Sequence, residues 1–342
     1  MEQERRAIRM GLCLILLALV IRFLGSGLPQ TVMNLLKRQE VMSFLVYLET
    51  GRVVRSAPDP TEPAAKPTQA ATQPGEPAPT LPEFDAEEAA LVEIYDFSDC
   101  TVDVPALLEQ PLSWDLTGEA PTVLILHSHA TESYTPTKEE PYQASSSYRT
   151  LDAQHNMVRV GAYLKELLEA RGIAVIHDTS FHDYPSYNDS YGNSREAVQA
   201  WLEQYPSIQM VLDLHRDAGE GEQQLSTATQ VAGKERARVM LVVGTNGSGL
   251  YHPLWEANMS LAVKLQVWLE RTYPGACRPI CFRSQRFNQD LSVGALLVEM
   301  GAAGDTLEEA LAAAELLAEG ISSLAMGTAD RQGAIPAAAQ DP

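Results

Sequence analysis

Residues 121–134, PTVLILHSHATESY, change abruptly from an apolar run to a polar one, and they decide the fold prediction for the whole chain. The β-forming run at residues 123–126 predicts a buried strand. It stops at two histidines and a carboxylate, His127, His129 and Glu132. In open α/β sheets, ligands bind beyond the carboxyl ends of the strands. The stretch therefore predicts an α/β sheet with a functional site at this edge.

The same pattern recurs twice further along the chain. Residues 210–214, MVLDL, run into His215 and Arg216, and residues 294–298, GALLV, run into Glu299. Each apolar run ends in a side chain that can bind a metal or transfer a proton. Because the carboxyl ends of parallel strands lie at one edge of a sheet, we expect these side chains to converge on one centre.

Around these three strands, further apolar runs alternate with helical patterns. Strands are predicted near residues 90–97, 123–126, 173–176, 209–214 and 237–243 and before Glu299, and helices near residues 105–109, 154–171, 194–204, 257–272 and 306–325. Alternation of this kind is typical of a mostly parallel sheet covered on both faces. The predicted fold class is α/β, a three-layer structure with a twisted sheet between helices.

The ends of the 342-residue chain differ in composition from this domain, which we place at residues 83–326. Residues 1–30 combine a basic flank with an apolar segment and predict a signal anchor that leaves the N-terminus cytoplasmic and exports the rest. A cleaved signal peptide is the alternative. Residues 31–55 predict a juxtamembrane helix. Residues 56–82 hold eight of the 21 prolines and predict an extended linker. Residues 327–342 predict a disordered tail.

Charge and cysteine content narrow the possible functions. A net charge of −20, without a basic patch in the exported part, argues against nucleic-acid binding. Cys277 and Cys281 are close enough in sequence for a disulfide in an exported protein, and two free thiols are the alternative.

The residues at the strand ends predict a catalytic zinc site. Such a site needs three imidazole or carboxylate ligands and an open position for water. His127, Glu132 and His215 can supply the ligands, and Glu299 can serve as general base and later as proton donor to the leaving amine.

Several assignments stay open on spacing alone. If the strand continues past residue 126, His127 and His129 face the same side, so His129 is an alternative ligand, a water-orienting residue or a substrate-binding residue. Asp152 and His155 are further candidate ligands, although Asp152 is also a candidate helix cap. Arg216 either binds a carboxylate of the substrate or pairs with a neighbouring aspartate.

Five segments together carry a family resemblance. They are residues 127–136 (HSHATESYTP), 156–161 (NMVRVG), 213–217 (DLHRD), 287–291 (FNQDL) and 297–301 (LVEMG). In this order they resemble the stage II sporulation protein P family of endospore-forming bacteria, over residues 94–321. Ser128 and Ala130 stand where threonine is usual, and Gly304-Asp305 replaces an asparagine-containing turn; none of these departures touches a proposed ligand.

The resemblance implies an activity and partners. The family is similar to zinc-dependent N-acetylmuramoyl-L-alanine amidases, so His127, Glu132 and His215 match the metal positions and Glu299 matches the catalytic glutamate. Its members act on peptidoglycan during forespore engulfment, with the stage II sporulation proteins D and M. We therefore expect a membrane-anchored zinc amidase that also cuts peptide cross-links. The alternatives are a zinc endopeptidase acting on stem peptides only and a non-catalytic cell-wall-binding scaffold.

Overall fold

A computed structural model of the chain describes residues 83–112, 115–143, 145, 148–218 and 225–326. The segments predicted at residues 1–30, 31–55, 56–82 and 327–342 lie outside these ranges. Within the described ranges, none of the helices is both long enough and apolar enough to cross a bilayer.

The described residues form nine strands and five α-helices. In chain order these are β1 (Ile94–Phe97), α1 (Val104–Glu109), β2 (Val123–Leu126), α2 (Met157–Glu169), β3 (Val175–His177), α3 (Ser190–Gln204), β4 (Met210–Asp217), β5 (Thr229–Val231), β6 (Lys234–Arg236), β7 (Val239–Gly244), α4 (Trp255–Thr272), β8 (Ile280–Arg283), β9 (Gly294–Ala302) and α5 (Leu307–Met326). Short 3₁₀ helices lie at Ala86–Leu91, Tyr187–Asp189 and Gln289–Leu291.

Seven of these strands form one sheet in the order β1-β8-β7-β9-β4-β2-β3, and β5 pairs only with β6. Every neighbouring pair in the large sheet is parallel except β7 and β9, which are antiparallel. The predicted mostly parallel α/β sheet is therefore confirmed. All residues of β2 and β7 are buried, which explains why both strands are continuous apolar runs.

Helices cover the two faces of the sheet unequally. The main core lies on one face, where α1, α2, α4 and α5 pack against the strands, with Val123 and Ile125 of β2 among its members. Leu124 and Leu126 point to the opposite face, where α3 packs on them through Val198. On that second face, farther along the sheet, a smaller apolar cluster joins β7, β8 and β9.

Helix α2 begins and ends where side-chain chemistry predicts. The Asn156 side chain accepts a hydrogen bond from the Val158 amide at 3.0 Å and caps the first turn. Gly172 follows the last turn with a φ of +80°, a conformation that glycine adopts without strain. Asp152 is not the cap: it accepts the Gln154 amide and contacts His155.

The structure differs from the sequence prediction at two places. Residues 86–91, of which the last two lie in the predicted strand at 90–97, form a 3₁₀ helix because Asp85 and Glu88 make a reciprocal capping box. Strand β8 is absent from the sequence prediction. Its apolar run has only three residues, 280–282, between Pro279 and Arg283, and β8 is held by pairing with β1 on one side and β7 on the other.

Candidate metal centre

The three strands identified from sequence are direct neighbours in the sheet, in the order β9-β4-β2. Leu126 at the end of β2 pairs with Asp213 of β4, and His215 of β4 pairs with Glu299 of β9. Because paired residues of parallel strands point to the same face, Asp213, His215 and Glu299 share one face of the sheet. The predicted convergence of the strand ends is present.

A compact group of three potential ligands lies at this edge. One ligand atom each from His129, Glu132 and His215 lies within 4.8 Å of the others, and all three residues are buried. The Nδ1 atoms of both histidines face the carboxylate: that of His129 is 3.6 Å from Oε1, and that of His215 is 3.4 Å from Oε2.

His127, the ligand predicted from sequence, lies outside this group, and His129 stands in its place. Side chains alternate along β2, so His127 follows Ile125 onto the face covered by α2. There its Nδ1 donates to the Leu214 carbonyl at 3.1 Å, and its Nε2 lies 2.8 Å from Nε2 of His177. A continuing strand would have left His127 and His129 as alternatives, but β2 ends at Leu126 and a turn at residues 128–130 redirects His129.

Gly161 of α2 provides the space for the two paired histidines. A Cβ atom at this position would lie 2.5 Å from Nε2 of His127 and 2.5 Å from Nε2 of His177. Burial lowers the pKa of His127 to about 3 and that of His177 to about 4, so both imidazoles are neutral at neutral pH.

Asp213 fixes the turn that carries His129, and its carboxylate also faces the ring of His215. Its carboxylate accepts the Ser128 amide at 2.7 Å and the Ser128 hydroxyl at 2.6 Å. Nε2 of His215 lies 3.0 Å from Asp213 Oδ1, out of line for a hydrogen bond. Burial alone would lower the pKa of His215, but the charges of Asp213 and Glu132 outweigh it and raise the pKa well above its ordinary value.

Hydrogen bonds and the charges of His215 and Arg216 keep Glu132 ionised. Burial alone would raise its pKa, but contacts with His129 and His215 hold the pKa well below its ordinary value. The backbone around Glu132 is fixed on two sides: its carbonyl accepts the Met157 amide at 3.0 Å, and the neighbouring Ser133 amide donates to Tyr148 at 3.0 Å.

Glu299 stands beside the three-residue group with unused hydrogen-bonding capacity. Its Oε2 atom is buried and has no hydrogen-bond partner among the described residues. Burial raises the pKa of Glu299 to about 8; the charge of His215 opposes this shift, and that of Glu132 adds to it. A carboxyl group in such surroundings accepts or releases a proton near neutral pH.

Arg216, the predicted substrate-binding residue, is buried and engaged within the protein. Its Nε donates to the Ser133 carbonyl at 3.0 Å, and its guanidinium also donates to the Tyr148 carbonyl at 3.1 Å. Its backbone amide donates to Glu132 at 3.2 Å. These contacts place Arg216 as a support for the Glu132 loop rather than as a substrate contact. Asp217 forms an ion pair with Arg278 at 2.7 Å.

The remaining sequence candidates lie away from the ligand group. His155 contacts Asp152 at 2.9 Å and Glu140 at 3.4 Å. Neither Asp152 nor His155 belongs to the group. Cys277 and Cys281 are free thiols, so the disulfide considered from sequence is not formed, and burial raises the pKa of both.

Three residues that the sequence analysis missed surround the ligands. The Tyr187 ring stacks on His129 with centroids 4.4 Å apart, and the Tyr191 ring lies parallel to His215 at 6.4 Å. Arg149 donates to Glu132 Oε1 at 3.1 Å. Nothing in the local pattern of the sequence marks these residues, since they come from loops and a helix start that only the fold brings near the strand ends.

The donor set fits a zinc ion. Two imidazole nitrogens and a carboxylate are the ligands of many catalytic zinc sites, which keep a further position open. The Arg216 amide, which donates to Glu132, supplies an outer contact of the kind that orients such ligands, and the Asp213 carboxylate faces His215.

Comparison with known proteins gives a family and one curated relative. The family model described as Stage II sporulation protein P matches residues 48–322. The curated stage II sporulation protein P of Bacillus subtilis (strain 168) is 31% identical over 222 residues, which are 61% of this chain and 52% of the relative. The matched region thus spans about half the length of that relative.

Solved structures give weaker matches. An N-acetylmuramoyl-L-alanine amidase from Clostridium difficile 630 has a TM-score of 0.33 and 16% identity, covering 63% of this chain and 100% of that one. The apo form of an N-acetylmuramyl-L-alanine amidase from Mycobacterium abscessus has a TM-score of 0.37 and 12% identity, and the match covers 60% of this chain and 99% of that one. Neither score is high enough to assign a fold or a function.

The family model covers most of the chain, including the loop with His129 and Glu132 and the ends of β4 and β9. The resemblance stated from five sequence segments is therefore confirmed. The chain belongs to the stage II sporulation protein P family.

Proposed function

We propose that the protein is a zinc-dependent peptidoglycan hydrolase that cleaves the amide bond between N-acetylmuramic acid and L-alanine during cell-wall remodelling in sporulation. Membership of the family supports the sporulation role. The observation that carries the chemistry is the buried group of His129, Glu132 and His215 with Glu299 beside it.

In this proposal His129, Glu132 and His215 hold the zinc ion. A zinc ion at this position supplies Lewis-acid polarisation of a carbonyl group and lowers the pKa of a water molecule. The protein contributes a prearranged donor set, because Glu132 is held ionised and both histidines already direct Nδ1 toward it. The Asp213 carboxylate faces the other ring nitrogen of His215 at 3.0 Å and favours its positive charge.

Glu299 acts as the proton carrier. It takes a proton from the attacking water molecule and returns it to the amine that leaves when the amide bond breaks. Its raised pKa suits the second step, which needs a protonated carboxyl group. Positive charge held by the three ligands favours the ionised form of Glu299, which the first step needs.

The proposal includes location and partners. We place the catalytic domain outside the cytoplasmic membrane, on a single-pass anchor at residues 1–30 and a linker at residues 56–82. Cleavage of peptide cross-links is a second activity of the same site. The stage II sporulation proteins D and M are the expected partners in forespore engulfment, as the family resemblance implies.

Digestion of isolated peptidoglycan by the purified full chain tests this function. The reaction is run with and without a chelator, and the released fragments are identified by mass spectrometry. Chelator-sensitive release of intact stem peptides with free L-alanine amines is expected, and cleaved cross-links would establish the second activity. If zinc-restored protein releases nothing and a Glu299→Gln variant binds peptidoglycan equally well, the protein is a binding scaffold.

A further inference from the structure

Arg149 connects two carboxylates that come from different loops. Its guanidinium donates to Glu132 Oε1 at 3.1 Å and to Asp183 Oδ2 at 3.0 Å. It also donates to the Thr131 hydroxyl at 3.1 Å. Asp183 in turn accepts the Thr131 hydroxyl at 2.5 Å. The loop that carries His129 and Glu132 is thereby joined to the loop at residues 183–187.

The same guanidinium also reaches the second ligand on this loop through an aromatic ring. Arg149 lies 4.8 Å from the centroid of the Tyr187 ring, and Tyr187 stacks on His129 at 4.4 Å with an interplanar angle of 19°. A planar guanidinium stacks on an aromatic face while it donates in its own plane, which the ammonium group of lysine cannot do. One side chain therefore restrains both Glu132 and His129.

The backbone places Arg149 for this task. Residues 148–150 pair with residues 131–133 in antiparallel fashion: the Ser133 amide donates to Tyr148, and the Thr150 amide donates to Thr131. Glu132 and Arg149 form the bridge between the two segments. The guanidinium therefore donates to Oε1 of Glu132, while the backbone amide of Arg216 donates to Oε2.

From these contacts we infer that Arg149, acting through Tyr187 and the Glu132 carboxylate, is a positioning residue that prearranges His129 and Glu132 for the metal ion. The inference rests on the proposed metal site. Without Arg149, His129 and Glu132 sample other rotamers before the ion binds, and binding must restrict them. Loss of outer contacts of this kind weakens metal affinity by about 10-fold to 100-fold.

Zinc affinity of the purified full chain, measured by competition with a chromophoric chelator, tests the inference. We expect Arg149→Met to weaken zinc binding by about 10-fold to 100-fold. Arg149→Lys keeps one charge but loses the paired geometry and the stacking, so an intermediate loss is expected. Tyr187→Leu should weaken binding, whereas Tyr187→Phe keeps the stacked ring and should bind as the unaltered chain does.

Arg195→Met is the matched control. Arg195 is a comparably exposed arginine that binds one carboxylate through two bonds, at 2.7 and 2.8 Å to Asp290, but it contacts none of the three ligands. The Arg195→Met variant should have a lower thermal stability and an unchanged zinc affinity. The visible spectrum of bound Co²⁺ gives a second readout, and it should change for Arg149→Lys and Tyr187→Leu and not for Arg195→Met.

The outcomes separate this inference from the proposed function. If the unaltered chain binds zinc and Arg149→Lys and Tyr187→Leu bind it equally well, the inference is overturned and the metal site stands. An equal loss in Arg195→Met would attribute the effect to general destabilisation and also overturn the inference. If the unaltered chain binds no zinc, both the proposed metal site and the inference fail.

Discussion

Replacement of Glu299 by glutamine separates the role of this residue in catalysis from its effect on stability. The rate of cleavage should fall, whereas the free energy of unfolding of the metal-free protein should rise. The amide keeps the size of the side chain but neither carries charge nor exchanges a proton. General acid–base groups contribute about 10²-fold to 10⁴-fold to a rate. Glu299→Gln should therefore lower the rate of peptidoglycan cleavage by about 10²-fold or more, with little change in zinc affinity.

The stability of the metal-free variant should rise. Burial raises the pKa of Glu299 to about 8, so above its unfolded pKa the ionised form costs the fold about 1.4 kcal/mol per pKa unit. The cost begins above the unfolded pKa and grows until the pH reaches about 8. Glutamine removes this cost, so the urea midpoint at pH 8 in a chelator should increase.

Peptidoglycan release and urea unfolding measured on the same preparation decide the outcome. Activity within 10-fold of the unaltered chain would refute the role of Glu299 as proton carrier. A urea midpoint at pH 8 lower than that of the unaltered chain would refute the claim that burial of the ionised Glu299 costs stability.

Two further predictions concern the histidine pair behind the site. Gly161→Ala should lower the free energy of unfolding by about 1–3 kcal/mol, because its Cβ would lie 2.5 Å from both imidazoles. Gly192→Ala in α3 is the control, since its Cβ would meet no atom within 4 Å and the change should be neutral or stabilising. Urea unfolding at pH 7 compares the two variants, and equal effects would contradict the predicted clash. Stability should also fall as the pH drops from 6 to 5, because the pKa values of His127 and His177, lowered to about 3 and 4, let the unfolded chain bind protons first, and His252, lowered to about 4, adds to this slope. The urea midpoint over this range, measured in the Glu299→Gln chain to remove the opposite slope of that residue, tests this, and a flat profile would contradict it.

Sequence patterns predicted the sheet and the edge that carries the site because these depend on local signals. The mostly apolar runs of β2, β4 and β9 reflect burial on both faces. Each run is followed by a side chain that can bind a metal or transfer a proton. Glu132, His215 and Glu299 lie at that edge. Strand β8 was not predicted because its apolar run has only three residues, 280–282, and ends at Arg283. Pairing with β1 and β7 completes the strand.

The choice between His127 and His129 depends on where one strand ends, which spacing cannot show. Had β2 continued by three residues, both side chains would share a face. The turn after Leu126 is fixed by Asp213, a residue 85 positions away that binds both the amide and the hydroxyl of Ser128. The contacts of Arg149 are equally nonlocal, since they join three loops.

The most direct test of the metal centre is the zinc content of the purified full chain compared with His129→Ala and His127→Ala. The geometry predicts that the unaltered chain and His127→Ala retain zinc after dialysis. His129→Ala should lose it, because two ligands remain of the three that a catalytic zinc site needs. Retention of zinc by His129→Ala together with its loss from His127→Ala would contradict the assignment and restore His127 as the ligand.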